Sequence, residues 1–221
     1  MNQVKPAILA VLLLFGVDAW ADSKLSQIEN PGVRSFNEAT ALYQEERYRA
    51  ALEKYRESAR WGNKLSQFNI GTMYYNGIGV ARDLARSWAW IRLSAEREYP
   101  QFVAVEREIL AEMNETSRRL GEQILENELL PEYGDAVALP TVRQFMNRRY
   151  RAATGSRLGG TSGSNPVLVH PRDGIQSIGD VYYSDTVWQL DRWLESERAW
   201  FEEMMESGEP LTEFKETPPQ R

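Results

Sequence analysis

The sequence predicts a mostly α-helical protein: a helix-turn-helix repeat forming an α-solenoid fragment of about two hairpins, extended by further helices, with a small mixed or irregular C-terminal region. Three observations predict it. A segment of the chain matches a second segment about one hairpin further on. Apolar and small residues recur three and four apart within both copies. That periodicity vanishes abruptly at Ala152, where Gly, Ser, Thr and Arg take over.

The repeat sets the order of elements. Phe36-Asn37-Glu38-Ala39-Thr40-Ala41-Leu42-Tyr43 aligns with Phe68-Asn69-Ile70-Gly71-Thr72-Met73-Tyr74-Tyr75 at an offset of 32 residues. Tyr48, Ala51, Tyr55, Ser58 and Ala59 align with Leu84, Ser87, Ile91, Ser94 and Ala95 at an offset of 36, so the later copy carries four extra residues between its halves. Small residues (Ala51, Ser58, Ala59, Gly71, Ser87, Ser94, Ala95) alternate with Tyr and Trp, which lets helices approach closely while rings fill the space beside them. Tyr74, Trp88, Trp90 and Trp61 are therefore expected in the hairpin core.

The extra residues fall in Asn76-Gly77-Ile78-Gly79-Val80-Ala81-Arg82-Asp83. Gly77 follows the last apolar pair of a helix, where a left-handed end is cheap for glycine. Gly79 permits a bend between Ile78 and Val80, which fold back on the hairpin. Asp83 stands where an N-cap is wanted. Gly62 is expected to close the preceding helix, ending at Trp61.

The run Gln67 to Asp83, followed by Trp90 and Ser94-Ala95-Glu96, resembles a Sel-1-like repeat, a relative of the tetratricopeptide hairpin. The resemblance rests on Gly71, Tyr74, Gly77, Gly79, Val80, Asp83, Trp90 and Ala95 in fixed register. Ser66, Ser87 and Ser94 stand where alanine is usual, which preserves size. The earlier copy lacks the glycine loop and is similar to a tetratricopeptide-like cap. The resemblance implies a scaffold that binds a protein or peptide, and it places Tyr75, Asn76, Arg82 and Arg86 at positions that vary within the family. Tyr and Arg dominate binding hot spots, so these four are the candidate partner-binding surface.

Beyond the hairpins (residues 33–98), a helical extension over 99–151 is expected to complete the stack. Phe102, Val105, Ile109 and Met113 define one helix. Thr116 is expected to cap the next, with Leu120, Ile124, Leu125 and Leu129 on its apolar face and Pro131 with Gly134 stopping it. A shorter helix is expected from about Pro140, with Val142, Phe145, Met146 and Tyr150 on one side. Residues 152–165 read as a Gly/Ser-rich linker. In the C-terminal region, 166–221, Val167-Leu168-Val169 and part of Ile175 to Tyr183 read as short strands. A long amphipathic helix capped at Ser184 or Asp185 follows, with Val187, Leu190, Leu194, Phe201, Met204 and Met205 on one face and Trp188, Trp193 and Trp200 beside it. The chain from Gly208 is polar, contains Pro, and is expected to fray.

At the other end, Lys5, the apolar run Ala7 to Val17 and the triplet Ala19-Trp20-Ala21 read as a signal peptide over 1–21. Cleavage between Ala21 and Asp22 would leave a linker over 22–32 and no stable membrane span. The chain has no cysteine, which points to a bacterial periplasmic or secreted protein that relies on its core rather than on disulfides. Lys5 and Asp18 cancel, so the net charge of −6 passes to the mature protein and makes nucleic acid an unexpected partner.

Chemistry-bearing motifs are sparse. His170 is the only histidine; beside Pro171, without a Gly-x-Ser-x-Gly elbow, it reads as a solvated loop residue rather than a catalytic base. Without cysteine and with one histidine, the usual zinc sites are ruled out. Thr154 to Gly160 lacks the ending and strand-loop-helix context of a phosphate cradle. Glu202-Glu203 and Glu126-Glu128 read as solvated helix faces. The expectation is a non-enzymatic adaptor or regulator of the cell envelope, with no cofactor and no metal. The alternatives are a peptidoglycan-recognition protein or hydrolase of the cell wall, and a structural accessory module of an envelope complex.

Overall fold

In the computed structural model the described residues are 31–154, 167–169, 176–178 and 190–206. The first hairpin joins α1 (Pro31–Gln44) to α2 (Tyr48–Ala59), and the second joins α3 (Lys64–Asn76) to α4 (Leu84–Ser94). Helix α2 packs on α3, so the hairpins stack as neighbours. The connecting loops are 45–47 and 77–83, which puts the four-residue surplus of the second copy in its loop.

Small residues mark the helix contacts. A Cβ on Gly71 would lie 2.7 Å from the Ile91 side chain and 3.1 Å from its amide, so α3 and α4 meet at a distance only glycine permits. The serines at alanine-like positions, Ser66, Ser87 and Ser94, are all buried, and two are bonded: Ser94 donates to the Ile91 carbonyl at 2.6 Å and Ser66 to Ser58 at 2.7 Å, which in turn donates to the Gly32 carbonyl at 2.7 Å. This hydroxyl relay crosses α3, α2 and α1. Phe36, Tyr55, Phe68, Met73, Trp88, Trp90 and Ile91 fill the space between.

The glycine loop has the predicted form. Gly77 is left-handed (φ +69°) and donates to the Met73 carbonyl. Asp83 caps α4, its carboxylate accepting the Arg86 amide at 3.0 Å. Gly79 (φ +71°) lies so close to Tyr48 that an added Cβ would meet the Tyr48 Cβ at 2.7 Å. The loop of the second hairpin is thus seated on the first turn of α2. Gly62 is also left-handed (φ +73°), but α2 itself ends at Ala59, before Trp61.

After a 3₁₀ turn at Ala95–Arg97 come α5 (Pro100–Glu112), α6 (Glu115–Ile124), a π-helical turn (Leu125–Leu129), α7 (Leu130–Tyr133) and α8 (Asp135–Thr154). Phe102, Ile109 and Met113 are buried as expected. Four expectations need correction. Asn114, not Thr116, caps α6 by accepting the Ser117 amide at 2.9 Å. Leu120 is 47 % exposed, because α6 presents Gly121 to α4, where a Cβ would meet Trp88 at 2.7 Å. Pro131 does not stop the helix: it follows directly on the π-helical turn, and the chain stays helical to Tyr133 before Gly134 ends it. Helix α8 starts at Asp135 rather than Pro140, passes through Pro140, and runs three residues into the stretch read as linker.

Strands β1 (Val167–Val169) and β2 (Gln176–Ile178) pair antiparallel with Val167 opposite Ile178. Helix α9 (Leu190–Glu206) buries Leu190, Trp193 and Phe201. Phe201 stacks on Tyr99 with centroids 4.3 Å apart and meets Phe102 edge-on at 5.3 Å. The signal segment with Ala21 and Asp22, the Gly-rich stretch after Thr154, His170, and the Ser184, Asp185, Val187 and Trp188 start of the last helix lie outside the described residues, as do the side chains of Tyr150, Trp200, Met204 and Met205. Among the described residues no helix is long and apolar enough to cross a membrane.

Candidate functional site: a groove between stacked helices

A cavity of about 240 Å³ opens where α2, α3, α4 and the π turn with α7 converge. Tyr74 from α3, Trp90 from α4, and Leu129 and Tyr133 from the α6–α7 region contribute its apolar surface. Trp90 and Tyr133 pack at 4.8 Å. Burial pushes the Tyr133 hydroxyl up to about 12, so it is a neutral donor at physiological pH.

Three arginines also line the groove, each facing a glutamate. Arg56 donates to Glu53 at 2.7 Å and to the Tyr74 hydroxyl at 2.9 Å. Arg60 forks onto Glu132 at 2.6 and 2.9 Å and lies 5.3 Å over the Tyr133 ring. Arg86 donates to Glu128 at 2.9 Å. Helical spacing explains the arrangement: Arg60, the C-cap of α2, follows Arg56 by one turn, and Arg86 and Trp90 are one turn apart on α4. The groove therefore combines aromatic rings with oriented hydrogen-bond donors, an arrangement suited to binding.

The candidate surface of Tyr75, Asn76, Arg82 and Arg86 divides in two. Tyr75 is buried, with its hydroxyl donating to the Glu112 carboxylate at 2.9 and 3.0 Å; burial, reinforced by Glu112, raises its pKa. Arg82 donates to the Tyr75 carbonyl at 3.0 Å and covers its ring at 5.4 Å, while Asn76 donates to the Thr72 carbonyl at 3.0 Å. These three fasten the end of the second hairpin to its loop and to α5. Arg86 alone of the four lines the groove. Of the signature residues, Tyr74 and Trp90 line it too, so the rings expected as core serve both purposes.

A second polar cluster lies at the N-terminal end of α3. The Lys64 amine has no exposed surface and donates to Glu96 at 2.8 Å, to Gln67 at 3.2 Å and to the Leu93 carbonyl at 3.2 Å, with Asp135 at 3.0 Å. Burial, aided by Arg97, lowers its pKa against the pull of Asp135 and Glu96. Arg97 forks onto Asp135 with two bonds of 2.8 Å, donates to the Gly62 carbonyl at 3.0 Å, and pairs with buried Glu197 of α9. Tyr99 donates to the same Glu197 carboxylate at 2.7 Å. Burial raises the Asp135 pKa, but Arg97, with Lys64, outweighs it and holds the carboxyl below its usual range. Closed to solvent at Lys64, this cluster acts as a fastening between α3, α8 and α9. Among the described residues no group of three or more His, Asp or Glu side chains is placed to hold a metal ion.

No protein-family model, curated protein or solved structure matches this chain.

Sequence reasoning missed both features, apart from Arg86, Tyr74 and Trp90. Arg97 and Glu197 are 100 residues apart, and no local spacing connects them. One signal was present: Trp193, Glu197 and Phe201 recur every fourth residue, which places a carboxylate inside an aromatic stripe and calls for a buried cation.

Proposed function

We propose that the protein is a non-enzymatic adaptor or regulator that binds a protein or peptide through the groove between its stacked helices, working in the periplasm or outside the cell as an exported relative of the Sel-1-like repeats. The observation that carries the reading is the groove itself. Its walls come from both hairpins and from the α6–α7 region, so it exists only when the repeat is stacked. The geometry of Gly71, Gly77, Gly79 and Asp83 supports the family resemblance, since each occupies a position where its residue type is needed.

A photo-reactive side chain placed at Glu53 or Glu128, on opposite rims of the groove, should cross-link one and the same partner in living cells. Placed at Glu108 on exposed α5 surface, it should not. Equal cross-linking from all three positions, or none from the two rims, would overturn the groove as the binding surface.

A further inference from the structure

We infer that the groove recognises an extended peptide carrying carboxylate side chains on alternate residues, and that Glu53, Glu128 and Glu132 fill it as internal stand-ins for that ligand. The inference rests on the binding role proposed above and adds the chemistry of the ligand.

The groove is balanced in charge, three guanidiniums against three carboxylates, so its preference comes from which partners are anchored. The arginines are. Arg56 is held by the Tyr74 hydroxyl at 2.9 Å, Arg60 lies over the Tyr133 ring, and Arg86 also faces Asp83 at 3.6 Å. Glu53 and Glu128 each have a single arginine as their bonding partner among the described residues. Glu132 approaches Tyr133 as well as Arg60. Two of the three carboxylates also stand further into solvent: Glu53 is 66 % exposed against 29 % for Arg56, and Glu128 is 52 % exposed against 37 % for Arg86, while Arg60 and Glu132 are equally exposed.

An exposed ion pair holds its members weakly, so a glutamate rotates away at little cost. The guanidinium it leaves stays in place, ready to accept another carboxylate. A cationic ligand would instead have to displace arginines that are tied to the floor, losing the Tyr74 bond and the Tyr133 contact. Spacing adds a length requirement. Arg56 in the last turn of α2 and Arg60 at its C-cap are separated by about 6 Å along the helix axis, close to the roughly 6.6 Å between alternate side chains of an extended chain. A Glu-x-Glu segment thus places one carboxylate on each, with Arg86 facing it from α4.

The test uses the purified full chain and short synthetic peptides of alternating Glu and Ala around a central Leu, compared by titration calorimetry with the same peptides bearing Gln or Lys in place of Glu. The Glu peptide should bind, and more weakly as salt rises. Either Arg56→Gln or Arg86→Gln should weaken it about tenfold, the loss of one charge-assisted hydrogen bond. Glu128→Gln, on the same rim as Arg86, should tighten it about two- to fivefold by removing the internal competitor. Equal binding of the Gln peptide would overturn the carboxylate preference while leaving the groove a peptide site. Stronger binding of the Lys peptide would reverse the assignment. Binding of no peptide would remove both the preference and the peptide-binding reading.

Discussion

Between α1 and α4 the interior is filled by rings, alanines and bonded serines, whereas α8 and α9 are joined to the stack by buried charges as well as by rings such as Phe201. The difference concerns specificity as much as stability. Apolar packing is tolerant of small shifts, but Arg97 must meet Asp135, Glu197 and the Gly62 carbonyl together, which fixes where both helices sit. Such a buried cluster adds little net stability over apolar side chains of equal volume, yet it is costly to break halfway.

The largest effects are expected where either region is broken outright. Arg97→Met takes the guanidinium from both carboxylates, leaving Asp135 to Lys64 and Glu197 to the Tyr99 hydroxyl, and should destabilise the protein by about 3–5 kcal/mol at pH 7. Phe36→Ala empties the first hairpin and should cost about as much, 3–5 kcal/mol. Urea unfolding at two pH values tells the regions apart. Asp135 is held below its unfolded value of 3.8, so the stability it supplies is complete above that value and fades as pH falls through its lower folded pKa. The Arg97→Met penalty should therefore shrink between pH 7 and pH 3, while the Phe36→Ala penalty stays constant. A pH-independent Arg97→Met penalty would erase the distinction.

A middle-sized effect tests how the hairpins join each other. Gly79→Ala forces a left-handed side chain against Tyr48 and should cost about 1–3 kcal/mol. Asp83→Ala removes only a helix cap and should cost about 1 kcal/mol, with Asp83→Asn recovering most of it. A loss for Gly79→Ala no larger than that for Asp83→Ala would mean the loop is not seated on α2.

The smallest expected effect is a gain. The short loop of the first hairpin turns at Glu46, a left-handed residue (φ 61°) where the second hairpin uses glycine. Glu46→Gly should raise stability by about 0.5–1 kcal/mol, read as a higher urea midpoint.

Much of the stack was legible because its signals are local. Gly77 and the cap at Asp83 act within a few residues of themselves, so pattern and conformation agree, while Gly71 and Gly79 meet Ile91 and Tyr48 across the stack and were legible through the repeat register. Thr116 was misread because α6 already starts at Glu115 and Asn114 takes the cap, and Leu120 because a helix face is chosen by its neighbour. Once Gly121 touches Trp88, Leu120 is turned outward whatever its hydrophobicity. Pro131 and Pro140 were read as boundaries, yet Pro131 follows directly on a π-helical turn and Pro140 is carried inside α8, with Ala138 and Val142 buried on either side of it. For the candidate site, Arg86 was found and Arg56 and Arg60 were not: all three look like solvated helix residues until α2 and α4 face each other.

The sequence by itself determined the hairpins, their loops and the small-residue contacts between them, because helix periodicity, caps and left-handed glycines are properties of short segments. Only the tertiary structure decided which arginines share a groove, which lysine is buried, and how α9 docks. Those outcomes depend on side chains brought together from distant parts of the chain, and on the solvent excluded when they meet.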